Sequence, residues 1–275
     1  MSLRIGSNVS AIAARRNLGI AQRETEHALK SLASGKRIVN SGDDAAGFAI
    51  GETLRGQLSG LKQSKFNAES AISFIQVAEG SLNEQNNIII RLRELGVQAA
   101  SDTLDDRERG FLQQEFTQLV SEFDRIAKST RYGSNTLLTG NAKEYEFQLG
   151  ANPDPENVVK YKLDVDTTAA EFDLESLTVE EKDDARDALS VLDEAVYRIA
   201  DVRSNFGAIQ SRLMTARDNL DVQVENISAA KSQILDADVA EATAKLAKGR
   251  VQTEFASAVL AQANSSPMAV MQLIG

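Results

Sequence analysis

VAEATAKLAKGRVQTEFASAVLAQAN, residues 239–264, places small or apolar side chains at unbroken steps of three and four: Val239, Ala242, Leu246, Gly249, Thr253, Ala256, Leu260 and Ala263. That is the period of a helix keeping one narrow seam against a partner helix. The proline-free rhythm extends upstream to Asp183. Leu189, Leu192, Val196, Ile199, Arg203 and Phe206 form one seam, and Ile209, Leu213, Ala216, Leu220, Gln223 and Ile227 form another. They meet at Phe206 and Ile209 in consecutive three-residue steps, an offset that locally overwinds a coiled coil. The stretch from Asp183 to Asn264 is therefore predicted to be a continuous or once-broken helical rod, about 120 Å long at about 1.5 Å per residue. A compact globule cannot enclose it.

The remaining composition agrees with a chain of long helices. Of 275 residues, 42% are apolar but only 5% are aromatic, tryptophan is absent, and the three prolines stand at 153, 155 and 267. Long helices are thus permitted on both sides of one interruption. The absence of cysteine excludes disulfides, thiolate metal sites and cysteine nucleophiles. The N-terminus has neither a charged segment followed by an apolar one nor any run of about 18 apolar residues, so a soluble chain without a cleaved leader is expected. Residues 1–60 carry a charge of +3 and residues 140–190 a charge of −9, which places the acidity in the middle of the chain.

Near the start, Ala11, Ala14, Leu18, Ala21, Thr25, Ala28 and Leu32 form a heptad seam whose small residues resemble those of the C-terminal seam. The two ends are predicted to pair. Small seam residues let helices approach closely, yet each contributes less burial than a leucine, worth roughly 1.5 to 3 kcal/mol. A pair built this way gains from neighbours on its other faces. The first helix should stop at Ser34-Gly35, and Asp43 or Asp44 should cap the next one. A glycine-spotted segment, Gly47 to Gly60, precedes a third seam of Ala68, Ala71, Ile75, Ala78, Leu82, Gln85, Ile89, Leu92, Gly96 and Ala99, which ends near Ser101. The next helix carries Leu112, Phe116, Leu119, Phe123 and Ile126, larger residues that suit a true core. Turns follow at Tyr132–Asn135 and Thr139–Asn141. Between Glu144 and Val165 the period changes to two around Asn152–Asn157, which predicts a β-hairpin. Thr178–Glu181 reads as a capping box that opens the long helix. The fold class is thus mainly α: long antiparallel coiled-coil helices from both chain ends, with a small central β-hairpin region.

Chemistry finds little support. The single histidine, His27, has no sequence neighbour able to complete an acid/base site. There is no phosphate-cradling glycine loop, HExxH or GxSxG, and no metal or cofactor is expected. Acidic pairs such as Asp105-Asp106 and Glu180-Glu181 fall where helices begin, where negative charge complements the dipole. Nucleic-acid binding is disfavoured by short basic groups in an acidic chain. Membrane insertion is disfavoured by seams of Ala and Thr. A partner helix is the better target.

Several motifs, in order, resemble bacterial flagellin. They are Ile5–Val9, Leu29–Ile38 (LKSLASGKRI), Ser41–Gly47 (SGDDAAG), Ala68–Gly80, Arg93–Leu95, Phe147–Asn152, Gly207–Leu213, Asp236–Asp238 and Val259–Asn264. The resemblance implies a non-enzymatic filament subunit, exported by the flagellar type III apparatus to an extracellular flagellum. It would be polymerised with its own copies, with an export chaperone, a cap protein and hook-junction proteins as further partners. It also implies that residues 1–42 and 232–275 pair as an inner filament layer, while residues 43–231 form a helical rod domain with the hairpin at about 144–165. Arg91, Leu95, Gln98 and Glu115 match positions that an innate immune receptor reads in flagellins, with Gly96 departing from the usual larger residue. The alternatives are a hook-filament junction protein and another exported coiled-coil scaffold.

Overall fold

The computed structural model describes residues 7–274, with side chains described to residue 265. Among the described residues, five α-helices, two short 3-10 turns and two small antiparallel ladders divide into two compact units, one of residues 1–58 with 225–275 and the other of residues 59–224.

In the first unit, α1 (Val9–Ser34) begins where Asn8 Oδ1 accepts the Ala11 N–H at 3.0 Å, and it stops at Gly35, whose φ of 67° suits a residue without Cβ. The connector to α2 (Ala45–Ala99) is held by acidic side chains. Asp43 Oδ2 accepts the N–H groups of Val39 and Asn40, and Asp44 Oδ1 accepts that of Gly47 at 2.9 Å. The glycine-spotted segment does not interrupt α2. A Cβ at Gly51 would lie 2.6 Å from a Leu235 methyl, so close packing outweighs the roughly 1 kcal/mol that a helical glycine costs.

The C-terminal stretch is broken once. α4 (Lys182–Leu235) and α5 (Val239–Ile274) are separated by Asp236–Asp238. The break is pinned to the first connector by backbone hydrogen bonds, Arg37 N–H to Leu235 O at 2.7 Å and Ala237 N–H to Gly35 O at 2.9 Å. Contacts of residue 8 with 263, 25 with 249 and 35 with 237 show that α1 and α5 run antiparallel.

In the second unit, the third seam points inward throughout, from Ala68 to Ala99. Together with α3 (Asp106–Ser129) and α4 it encloses Ile89, Leu92, Leu95, Phe116, Phe123, Phe172, Val179, Leu192 and Ile199, all at most 3% exposed. Phe206, Ile209 and Leu213 are all buried in an unbroken α4, so the three-residue offset is absorbed without a break in the helix. Gln85 is the polar member of the α2 seam, and its amide donates to Phe123 O and Thr167 O at 3.1 Å each.

The capping box lies at α3 rather than at α4. Asp105 Oδ1 accepts the Glu108 N–H at 2.8 Å and Glu108 returns a bond to the Asp105 N–H. At Thr178–Glu181 the chain is otherwise committed. Val179 is fully buried and its N–H donates to Gln113 Oε1 at 2.7 Å, which delays the helix to Lys182.

The predicted hairpin is present as β3 (Lys143–Gln148) and β4 (Val158–Leu163), in register with Tyr145 opposite Tyr161 and Phe147 opposite Val159. Its aromatic face packs on Phe74 of α2, at centroid distances of 4.8 Å to Tyr145 and 6.1 Å to Phe147, while Tyr161 meets Phe206 of α4 at 5.9 Å. Burial pushes the Tyr161 phenol up to about 12. The turn at Tyr132–Asn135 carries the other small ladder, β1 (Arg131–Tyr132) with β2 (Asn135–Thr136).

Arg109 of α3 closes the end of α2. The residue is 7% exposed, and its guanidinium donates to Ala99 O and Ser101 O at 2.9 Å each and pairs with Asp106 at 3.2 Å. Arg109→Ala strands carbonyl groups in a buried setting and is expected to cost about 1–3 kcal/mol in denaturant unfolding. Arg109→Lys restores only part of this, because an ammonium cannot present the same fork to both acceptors.

Candidate functional site

The structure brings the two terminal seams together. Ala14, Ala21 and Ala28 are 5–7% exposed, and Ala11, Leu18, Thr25 and Leu32 alternate with them at intermediate exposure. From α5, Ala242 and Gly249 are buried, and Leu246, Thr253, Ala256, Leu260 and Ala263 are partly covered. Val239 departs from the predicted seam. It is the first residue of α5, directly after the pinned connector, and is 61% exposed, so the inward face begins at Ala242. The approach is closest at Gly249, where a Cβ would lie 2.6 Å from Thr25 Oγ1. Asn8 Nδ2–H donates to Ala263 O at 2.7 Å, fastening the far end.

What this unit leaves outside matters more than what it encloses. Among the described residues, its large apolar side chains that are buried are Ile38, Leu58 and Leu235, whereas nine are exposed. On α1 these are Val9 (69%), Ile12 (66%), Ile20 and Leu29, and on α5 they include Val251, Phe255 (69%) and Val259. The last three are spaced four apart and so share one helical face. Their positions lie roughly opposite the α5 seam at Gly249 and Thr253, as the 100° turn per residue requires. Large exposed apolar tracts on a helix pair with an alanine seam are the mark of a surface that another molecule covers.

Two further predicted features are corrected. His27 does have a partner, since its Nε2 lies 3.2 Å from Asp43 Oδ1 beyond the α1 turn. In the Arg91, Leu95, Gln98 and Glu115 group, Arg91 pairs with Glu115 at 2.7 Å and with Glu94 at 2.9 Å, and Gln98 is exposed. Leu95 is 1% exposed and belongs to the core, because it shares the inward face with Leu92 and Ala99. Among the described residues no group of three or more His, Cys, Asp or Glu side chains is arranged to hold a metal, and no helix is long and apolar enough to cross a membrane.

The two ends of the chain match the family profiles of the bacterial flagellin N-terminal helical region, over residues 5–143, and C-terminal helical region, over residues 189–274. The chain belongs to the bacterial flagellin family. A flagellin of Halalkalibacterium halodurans is 37% identical over 271 residues, covering 98% of this chain and 99% of that one. A flagellar filament core protein of Brachyspira hyodysenteriae is 36% identical over 285 residues, again covering 98% and 99%. Among solved structures, Bacillus cereus flagellin superposes with a TM-score of 0.51 at 28% identity, covering 60% of this chain and 94% of that one. The flagellin profiles meet on either side of residues 144–188, the interval that holds most of the β3–β4 hairpin. Both halves of the α1–α5 pair fall within the matched regions.

Proposed function

We propose that the chain is a structural subunit that self-assembles head-to-tail into the helical filament of a bacterial flagellum and so serves swimming motility, without catalysing a reaction. The observation that carries this reading is the terminal unit, whose seam is alanine and glycine while Val251, Phe255 and Val259 lie open on α5. Such a pair is marginal alone and is completed when neighbouring copies cover its outer faces. A heterologous contact of this kind does not close on itself and therefore grows. Residues 1–42 with 232–275 would form the inner layer around a channel, and residues 43–231 the rod domain outside it. An export chaperone, a cap protein and hook-junction proteins are the further partners, and the assembled chain is extracellular.

The test is Phe255→Asp. The side chain is 69% exposed within one copy, so the substitution should leave the unfolding midpoint of residues 59–224 unchanged. It removes the apolar contribution of one phenylalanine per contact, and the critical concentration for seeded growth is expected to rise about 10- to 100-fold. Growth at the native concentration would show that this face is not covered in the polymer.

A further inference from the structure

His27 and Asp43 join two segments that no helix period connects. His27 stands in the C-terminal half of α1, and its Nε2 lies 3.2 Å from Asp43 Oδ1. Oδ2 of the same carboxylate accepts the N–H groups of Val39 at 3.0 Å and Asn40 at 2.8 Å. One side chain thus ties α1 to the backbone of the connector that leads into α2. The imidazole, 47% exposed, borders a cavity of about 420 Å³ in the terminal unit. Facing it there are Glu24 of α1, Arg37 of the connector, Asp238 ahead of α5, and Glu241, Lys245 and Lys248 of α5. Glu241 and Lys245 pair with each other at 2.8 Å. Both signs of charge thus line the cavity, Arg23 and Lys30 of α1 stand one helical turn either side of His27, and the Asp43 carboxylate is the charged group in direct contact with the imidazole.

We propose that His27 and Asp43 form a proton-operated latch that favours filament assembly at mildly acidic pH. Protonated, the imidazolium pairs with the carboxylate and fixes the connector against α1. Neutral, it offers at most one uncharged hydrogen bond. The proposal rests on the filament reading, since the connector must be set for α1 to meet α5 and both to be covered by neighbours. The Asn40 N–H, and after it the Val39 N–H and the imidazole, outweigh burial and hold the Asp43 carboxyl below its ordinary range. A carboxyl lowered on folding stabilises above its unfolded value and loses that contribution as pH falls through its folded value. The latch is therefore closed from that acidic limit upward for as long as the imidazole keeps its proton, and open once the proton is lost.

The measurement is the critical concentration of seeded growth at about pH 6 and about pH 8, for the native chain, His27→Gln and Asp43→Asn. For a half-exposed pair the native value is expected to be about two- to five-fold lower at the acidic pH, and both variants should lose that difference. A native chain with no such difference, or a His27→Gln chain that keeps it, overturns the latch. If no chain grows at either pH, the filament reading fails separately, and the latch is then read from the imidazole proton resonance of the unassembled chain. A titration midpoint that is higher in the native chain than in Asp43→Asn supports it. Equal midpoints overturn it.

Discussion

Gly249→Leu stops filament growth while residues 59–224 unfold at their native midpoint. The reason lies in the closest approach of α1 to α5. A Cβ alone at position 249 would stand 2.6 Å from Thr25 Oγ1 and 3.4 Å from Thr25 Cα, so a leucine must push the helices apart. Inserting even one or two methylenes into a packed seam costs roughly 1–3 kcal/mol. The seam has little to set against that, because α1 offers only Ala21 and Ala28 on either side of Thr25 and the adjacent α5 positions, Leu246 and Thr253, are only partly covered. The critical concentration is expected to rise more than about 100-fold for leucine and by an intermediate factor for Gly249→Ala, as the range of overpacking costs implies. Thr25→Ala removes the hydroxyl that the new Cβ meets first, so the double variant Thr25→Ala/Gly249→Ala should recover part of the loss. Seeded growth measured by pelleting checks both, and native growth of Gly249→Leu would mean that the α1–α5 approach is not kept in the polymer.

The second large effect belongs to the other unit and has the opposite signature. Phe123 is fully buried and meets the Phe172 ring edge-on at a centroid distance of 5.7 Å. Over the Phe172 ring lies the Arg198 guanidinium, at 4.5 Å from the centroid. Phe123→Ala removes a fully buried ring from this cluster and should destabilise residues 59–224 by about 3–5 kcal/mol. For a unit of this size that corresponds to a fall in melting temperature of about 6–20 °C, read by calorimetry. The α1–α5 seam is untouched, so growth well below the new melting temperature is expected to persist. A variant that melted natively would place Phe123 outside the core.

These two units differ in how far their sequence alone discloses them. In residues 59–224 the heptad steps of α2 and α4 name the core almost residue by residue, because burial there depends on spacing within one helix. The hairpin is equally plain, since period-two alternation and the Pro153–Pro155 link leave few other structures. Features that depend on distant residues were hidden. The break at Asp236–Asp238 is held by backbone bonds to Gly35 and Arg37, some 200 positions away, and nothing local marks it beyond short polar residues. The capping-box pattern at Thr178–Glu181 yields to the burial of Val179, a tertiary effect that no local motif reveals. The partner of His27 lies across a turn, sixteen positions on.

Leu95 teaches a different lesson, since the signal was present. It lies three residues after Leu92 and four before Ala99, on the inward face of the very seam that the spacing defines. A resemblance carries positions across a family without saying which way a side chain points. Periodicity does say so, and here it should take precedence. The exposed stripe of Val251, Phe255 and Val259 was legible in the same manner, as a second period of four on the back of the α5 seam.

Pairing of α1 with α5 under the cover of neighbouring copies is tested most directly by growth of the full chain compared with one lacking residues 239–275. Both are offered to preformed seeds and followed by electron microscopy and circular dichroism. Long filaments, with a gain in helicity as the native chain adds, and neither change in the shortened chain, are the expected result. A native chain that stays a small closed oligomer, already fully helical and unable to extend seeds, would contradict the assembly of α1 and α5 by neighbouring copies.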